Sequence, residues 1–338
     1  MNWVLQKLKP CLLIISIFFA FQNISISNEN KLRTSEQFQK LYKSIVEIKS
    51  FIPENARTAN SLGTERRGTG VAIDNKHILT IGYIVIEAEK IDISLPNGKT
   101  VPGKLVGYDH QTGFALLKTL VPAELTALKI GNSDLIKDKE LLFIMPYPTH
   151  GRGSAGNAVS RRPSTFFWEY HLEKPIYVYP MNESWAGTPL INDNSEVLGI
   201  GSLYIPDSVS PGIMSPGNMF VPINILKPIM QDLIKNGRRT KNIHPYLGLS
   251  ADDINGNLGI SRVSKNGPAE KSGLQAGDII LTVNGKTVKT MESFYKTAWT
   301  AGGPGSIVNI KIKRDQKNMD FKVKSIDRND FFVKNKGF

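Results

Sequence analysis

The chain has 338 residues, 41% of them hydrophobic, and a formal net charge of +12. That length buries two ordinary cores, and the composition excludes disorder, collagen and coiled coil. The one cysteine, Cys11, falls in the first apolar segment, so a chain processed beyond it has no thiol; disulfides, thiolate metal sites and cysteine nucleophiles are excluded together.

Lys7 and Lys9 precede an apolar run over residues 11–21, and the small polar exit Ser25, Ile26, Ser27 follows. This is the layout of a secretory signal peptide, expected over residues 1–27, and it implies a periplasmic or otherwise exported protein. The run is about half of the roughly 20 residues a spanning helix needs, which leaves an uncleaved inner-membrane anchor as the alternative. Cys11 stands at the start of the apolar run and not after it, which argues against a lipoprotein cleavage site. Without Lys7 and Lys9 the charge falls from +12 to +10, densest over residues 235–241 and 311–336. A solvated basic surface accounts for it, because no groove-reading motif or aromatic interleaving accompanies the charge. No nucleic-acid partner is expected; an anionic envelope polymer is the alternative use of such a surface.

From residue 37 onward, short runs rich in Val, Ile and Leu recur between Gly, Asn, Asp and Pro clusters, at 44–48, 70–73, 91–95, 114–117, 141–145 and 197–200. That rhythm predicts a mainly β domain, a barrel or sandwich. Residues 147–163, with Gly151, Gly153, Gly156 and three arginines, read as a mobile surface loop. Over residues 222–235 the period changes: Ile225, Ile229, Leu233 and Ile234 share one face and Asn236 and Gly237 supply a stop, predicting a helix that closes a first domain, 37–235. A basic connector, 236–243, leads to a compact unit, 244–328, with strands near 258–263, 279–283 and 308–313 and a helix over 291–299; residues 329–338 are a tail. The histidines, at 77, 110, 150, 171 and 244, show no paired ligand spacing, so no metal and no cofactor are expected.

Several stretches, in order, resemble the HtrA/Deg family of periplasmic serine proteases. They are Gly68 to Ile73, Ile78-Leu79-Thr80, Asn97-Gly98-Lys99, Val106 to Asp109, Ala115 to Lys118, Ile130 to Asp134, Pro189-Leu190, Val197 to Ile200 and Phe220 to Ile223. Tyr246-Leu247-Gly248-Leu249, the run from Asn266 to Ile280, and Val283-Asn284-Gly285-Lys286 are similar to the family's PDZ domain. The resemblance implies a mainly β chain: a chymotrypsin/trypsin-like double β-barrel followed by a C-terminal PDZ domain.

The resemblance also places a catalytic triad, and here all three positions differ. Tyr83 stands where the family has its general-base histidine, Gly113 where it has the orienting aspartate, and Ala186 where it has the nucleophilic serine. A phenol with an ordinary pKa near 10 cannot accept a proton at neutral pH, glycine offers no carboxylate, and a methyl group cannot attack a carbonyl. Ser184 and Trp185 further alter the loop that should supply the oxyanion hole. His77, His110 and Ser184 are the neighbours that a misalignment could bring into these roles.

In the PDZ unit, the loop Tyr246 to Leu249 is expected to present backbone N–H groups to a C-terminal carboxylate, and Leu249, Ser250 and Ala251 to pair with an extended peptide. Phe294 and Ala298 are expected in the core, Tyr295 and Trp299 at the groove, and Asp278 in a local turn. The expected function is an exported pseudoprotease that binds peptide or protein C-termini and unfolded envelope proteins in a regulatory, chaperone-like or scaffolding role. Its partners would include an active homologue or, by resemblance, further copies in a trimer. The alternatives are an active envelope endopeptidase and a basic scaffold for anionic polymers.

Overall fold

The computed structural model describes residues 39–332; the expected signal peptide, residues 1–27, and the end of the tail lie outside the described residues. β1 (Ile45–Phe51), β2 (Glu65–Ala72), β3 (Ile78–Ile81), β4 (Lys90–Ser94), β5 (Thr100–Tyr108) and β6 (Phe114–Thr119) form a closed barrel in the order β1-β2-β3-β6-β5-β4. Closure comes from β1, which pairs antiparallel with β2 on one side and β4 on the other. The inward positions are β-branched or aliphatic, as a buried pleated surface favours: Val46, Ile48, Ile78, Ile93 and Leu117 share the inner face and are fully buried. A short helix, α1 (Ala59–Leu62), lies in the β1–β2 connection.

The second barrel is built from β8 (Leu141–Ile144), β9 (Ser154–Ser160), β12 (Ile176–Tyr179), β15 (Gly217–Pro222), β14 (Glu196–Ile205) and β13 (Pro189–Ile191), closed by the β13–β14 pairing; β7 (Lys129–Ile130) adds to β14 in parallel. A separate hairpin, β10 (Ser164–Phe166) with β11 (Tyr170–Leu172), projects from this domain. The third unit is a sheet in the order β16-β17-β18-β20-β21, from β16 (Leu249–Ile254), β17 (Asn257–Val263), β18 (Ile279–Val283), β20 (Ile307–Arg314) and β21 (Lys317–Lys324), with β19 (Lys286–Thr287) on β18. The double barrel and the PDZ unit that the resemblance implies are both present.

Two expectations need correction. The stretch read as a mobile loop contains β9, which pairs with β8 and β12. Its glycine and alanine are small because the barrel is crowded there: a Cβ on Gly156 would sit 2.6 Å from Val178, and Ala158 is buried. The closing helix is shorter than its apolar period suggests, a 3₁₀ turn at Ile223–Ile225 followed by α2 (Met230–Asn236). Pro228 has no N–H to carry a helix on from the 3₁₀ turn, and Gly237, left-handed at φ +71, ends α2.

In the PDZ unit α3 (Pro268–Ser272) starts on a proline, and α4 (Met291–Trp299) starts with a capping box between Thr290 and Ser293. Asp278 accepts from Gln275 N, so it does make the local turn, and it also takes two bonds from Arg314, at 2.6 and 2.7 Å. Among the described residues no helix is long and apolar enough to cross a membrane.

The connector between the domains is pinned. Arg239 donates to both oxygens of the buried Asp109, at 3.0 and 2.9 Å, and Arg238 reaches Asp327 at 3.2 Å. The residues after the last strand are docked too. Arg57 of the first barrel lies over Phe331 at 3.9 Å and donates to Lys265 O at 2.9 Å, while Phe332 stacks on His110 with centroids 5.1 Å apart.

Candidate functional site

A cleft of about 1060 Å³ runs between the barrels and the PDZ unit and takes in Tyr83, Gly113, Trp185 and Ser202 at one end and Leu249 and Ser250 at the other. Tyr83 stands on the 3₁₀ turn Gly82–Ile84 that follows β3, and its hydroxyl donates to Ser202 O at 3.0 Å. Burial pushes its phenol well above the ordinary range, so it holds its proton at any pH at which the fold survives.

Gly113 ends a tight turn whose N–H donates to Asp109 O at 2.7 Å, and its φ of +81 is a left-handed conformation that side-chain-bearing residues rarely adopt. A Cβ there would lie 3.2 Å from Ile81 Cδ1 and 3.4 Å from the Tyr170 hydroxyl, which itself bonds Thr112 O at 2.7 Å. An aromatic hydroxyl thus crowds this position. Asp109, four residues earlier, cannot substitute, because Arg239 and Thr112 already engage both of its oxygens.

Ala186 lies in the loop before β13. Its carbonyl accepts from Thr69 N at 2.8 Å, and the next amide, Gly187 N, donates to Gly201 O at 2.9 Å. The Ser184 amide donates to Asn182 Oδ1 at 2.9 Å, and the Ser184 hydroxyl donates to the backbone carbonyl of His150. The Ser184 amide is thus engaged within its own loop and the hydroxyl on the β8–β9 connection. The histidine rings are engaged elsewhere: His77 with Asp74 at 2.7 Å, His150 with Glu47 at 2.8 Å and His171 with Thr165 at 2.7 Å. His110 lines the cleft, but burial and the nearby Arg328 hold its imidazole well below the usual range.

At the PDZ end the loop expected to take a carboxylate already meets one from the same chain. Glu169, at the tip of the β10–β11 hairpin, accepts from Leu247 N at 3.1 Å, Gly248 N at 2.7 Å and Leu249 N at 3.2 Å. Gly248, at φ +73, turns the backbone so that three successive amides converge on one carboxylate. Tyr295, on α4, is fully buried and donates to Phe167 O at 3.0 Å; Trp299 stacks on His244 at 4.0 Å. Tyr246 packs against Phe331, and Ser250 is buried. The residues expected to contact a peptide therefore gather at one place and meet the hairpin tip there. Glu169 was missed by the sequence reading. The only signal was a lone carboxylate in the aromatic run Phe166, Phe167, Trp168, Tyr170.

Burial pushes the Glu169 carboxyl up to about 7, against the pull of Arg328 and the three amides. Burial, helped by Arg239, pushes the His244 imidazole down to about 4. The signs oppose. Glu169 contributes stability that is full below about 4.5 and lost as pH rises through about 7; His244 contributes stability that is present above about 6.5 and lost as pH falls toward about 4. Between pH 7 and pH 5 the protein with His244→Gln is expected to lose about 1–2 kcal/mol less unfolding free energy than the unaltered chain, measured by urea melts at the two pH values.

Among the described residues one group has metal-ligating atoms close together: His171, Glu173 and Glu292. Lys296 Nζ lies 2.8 Å from each of the two carboxylates, so an ammonium already supplies the cation there.

Residues 68–200 match the trypsin-like peptidase domain family, and residues 245–325 match the PDZ domain family. The chain is 26% identical, over 95% of its length and 70% of the relative's, to the probable periplasmic serine protease do/HhoA-like of Haemophilus influenzae. It is 28% identical, over 80% of its length and 79% of the relative's, to the serine endoprotease DegS of Salmonella typhimurium. The serine endoprotease of Yersinia pestis, a solved structure, superposes with a TM-score of 0.51 at 22% identity, over 86% of this chain and 96% of that one, and shows the same fold. With both domain types in the order of these relatives, the chain belongs to the HtrA/Deg family of trypsin-like serine proteases carrying one PDZ domain.

Proposed function

We propose that this chain is an exported HtrA/Deg pseudoprotease, which binds the C-termini or unfolded segments of envelope proteins through its PDZ domain and leaves them intact. The observation that carries the reading is the set of residues at the catalytic positions: a buried phenol at Tyr83, a left-handed glycine at Gly113 and a methyl group at Ala186. None can be a general base, an orienting acid or a nucleophile. The oxyanion loop supports the same reading, because the Ser184 amide, one of the two donors the fold would offer an oxyanion, already serves Asn182. The periplasmic names of the relatives and the layout of residues 1–27 favour export.

Incubation of the purified protein with unfolded casein tests this directly. Casein is expected to stay full-length over hours at an equimolar ratio, with Ser184→Ala giving the same trace. Cleavage that disappears in Ser184→Ala would make the chain a working endopeptidase with an unusual nucleophile.

A further inference from the structure

We infer that Glu169 is a tethered ligand of the chain's own PDZ domain, so that an incoming peptide C-terminus binds only by displacing the β10–β11 hairpin tip. The inference rests on the peptide-capture reading above and adds how that site is held closed.

The argument starts from the chemistry of the loop. Three consecutive amides at Leu247, Gly248 and Leu249 converge on a single point, and an arrangement of that kind selects a carboxylate. A free peptide end would offer two oxygens to these donors, and Glu169 offers two: Oε2 takes the Leu247 amide, and Oε1 takes those of Gly248 and Leu249. The mimicry extends along the backbone. A bound peptide would lie between β16, the terminal strand of its sheet, and α4. The hairpin tip reaches the same wall, with Phe167 O accepting from Tyr295 on α4.

The conformation of the tip fits a built contact. Glu169 adopts φ +56, a left-handed value uncommon for a residue with a side chain, and is 7% exposed. Trp168 stacks between Phe166 and Tyr170, at centroid distances of 4.9 and 6.0 Å, which stiffens the hairpin that presents the carboxylate. Arg328, beyond the last PDZ strand, donates to Glu169 O at 3.4 Å. Because the ligand is on the same chain, its local concentration is high and independent of dilution, and outside peptides see an affinity reduced by the fraction of molecules that are open.

The test uses the whole exported chain and two probes that differ only at the end: fluorescein-labelled decapeptides randomised at the last four positions, with a free or an amidated C-terminus. Glu169→Ala is expected to bind the free-carboxyl pool about tenfold tighter than the unaltered chain, with no gain for the amidated pool. Glu169→Gln, nearly isosteric and with its amide oxygen retained, is expected between the two. Amide hydrogen exchange at Leu247, Gly248 and Leu249 is expected to speed up in Glu169→Ala while the PDZ core strands keep their protection, which separates release of the tip from unfolding. Equal affinities for the free-carboxyl pool in all three proteins, or unchanged exchange at those amides, would overturn the tethered-ligand inference and leave peptide capture standing. Binding by Glu169→Ala that does not distinguish free from amidated ends would overturn peptide capture, and this inference with it.

Discussion

On the pseudoprotease reading, placing the family's three catalytic side chains together, as Tyr83→His, Gly113→Asp and Ala186→Ser, is expected to leave casein cleavage about 10⁴-fold or more below that of an active relative. On the pseudoprotease reading, the surroundings of these positions oppose the chemistry as much as the side chains do. At position 113 the backbone sits at φ +81, and a Cβ there would lie 3.2 Å from Ile81 Cδ1 and 3.4 Å from the Tyr170 hydroxyl. An aspartate there would start from a strained backbone and tight contact with Ile81. A serine at 186 would sit in a loop whose Ser184 amide is already satisfied by Asn182, so part of the oxyanion stabilisation would still be missing. Triads act as units, and a nucleophile without a placed base or oxyanion donors recovers little. Labelling by a fluorophosphonate probe gives a second readout: the triple variant is expected to remain unlabelled at position 186. Strong labelling with turnover would mean that side-chain loss alone had silenced the site.

Asp109→Ala is expected to lower the unfolding free energy by about 3–5 kcal/mol, the usual result of removing one partner from a buried ion pair. Asp109 is 3% exposed and takes bonds from Arg239 Nε and Nη2 and from Thr112 N and Oγ1. Its loss leaves a guanidinium and two donors without an acceptor in a place water barely reaches. Total stability of a domain is of the order of 5–15 kcal/mol, so the variant should melt many degrees lower. Adding Arg239→Met to Asp109→Ala is expected to recover part of the loss, because the stranded charge goes with its partner. Thermal melts of the two single variants and the double variant complete the cycle, and a double variant no better than Asp109→Ala would place the damage in the Thr112 turn instead. The same melts report on the connector, since Arg239 is the residue that fixes it to the first barrel.

How much of this was legible in the sequence follows from where the information is held. The alternation of short β-branched runs marked most strands because each strand writes its own burial pattern at period two. The α4 boundaries were readable for a similar reason, since a threonine cap and an amphipathic face are local. β9 was not readable: Gly156 and Ala158 are small because of Val178 and the strands beside them, and that crowding is written elsewhere in the chain. Pro228 could have shortened the closing helix in advance, and the apolar period at Ile225, Ile229 and Leu233 hid it. At the candidate site Tyr83, Gly113 and Ala186 were visible as letters. What was hidden was their setting, such as the Tyr170 hydroxyl against Gly113 and the Tyr83 bond to Ser202, both of which join elements far apart in sequence. Glu169 was the least legible of all, because its role depends on a domain that begins some 75 residues later and on a turn that aims it there.

The docked segment after β21 has a consequence for the order in which the molecule matures. Arg57 and His110 lie in the first barrel, and the aromatic rings that cover them, Phe331 and Phe332, are synthesised after the whole of the PDZ sheet. Each barrel can therefore collapse as it is synthesised, while the clasp between domains has to await the residues that follow β21. A fusion appended just beyond that segment would burden the seam itself, whereas one placed ahead of β1 would leave it untouched.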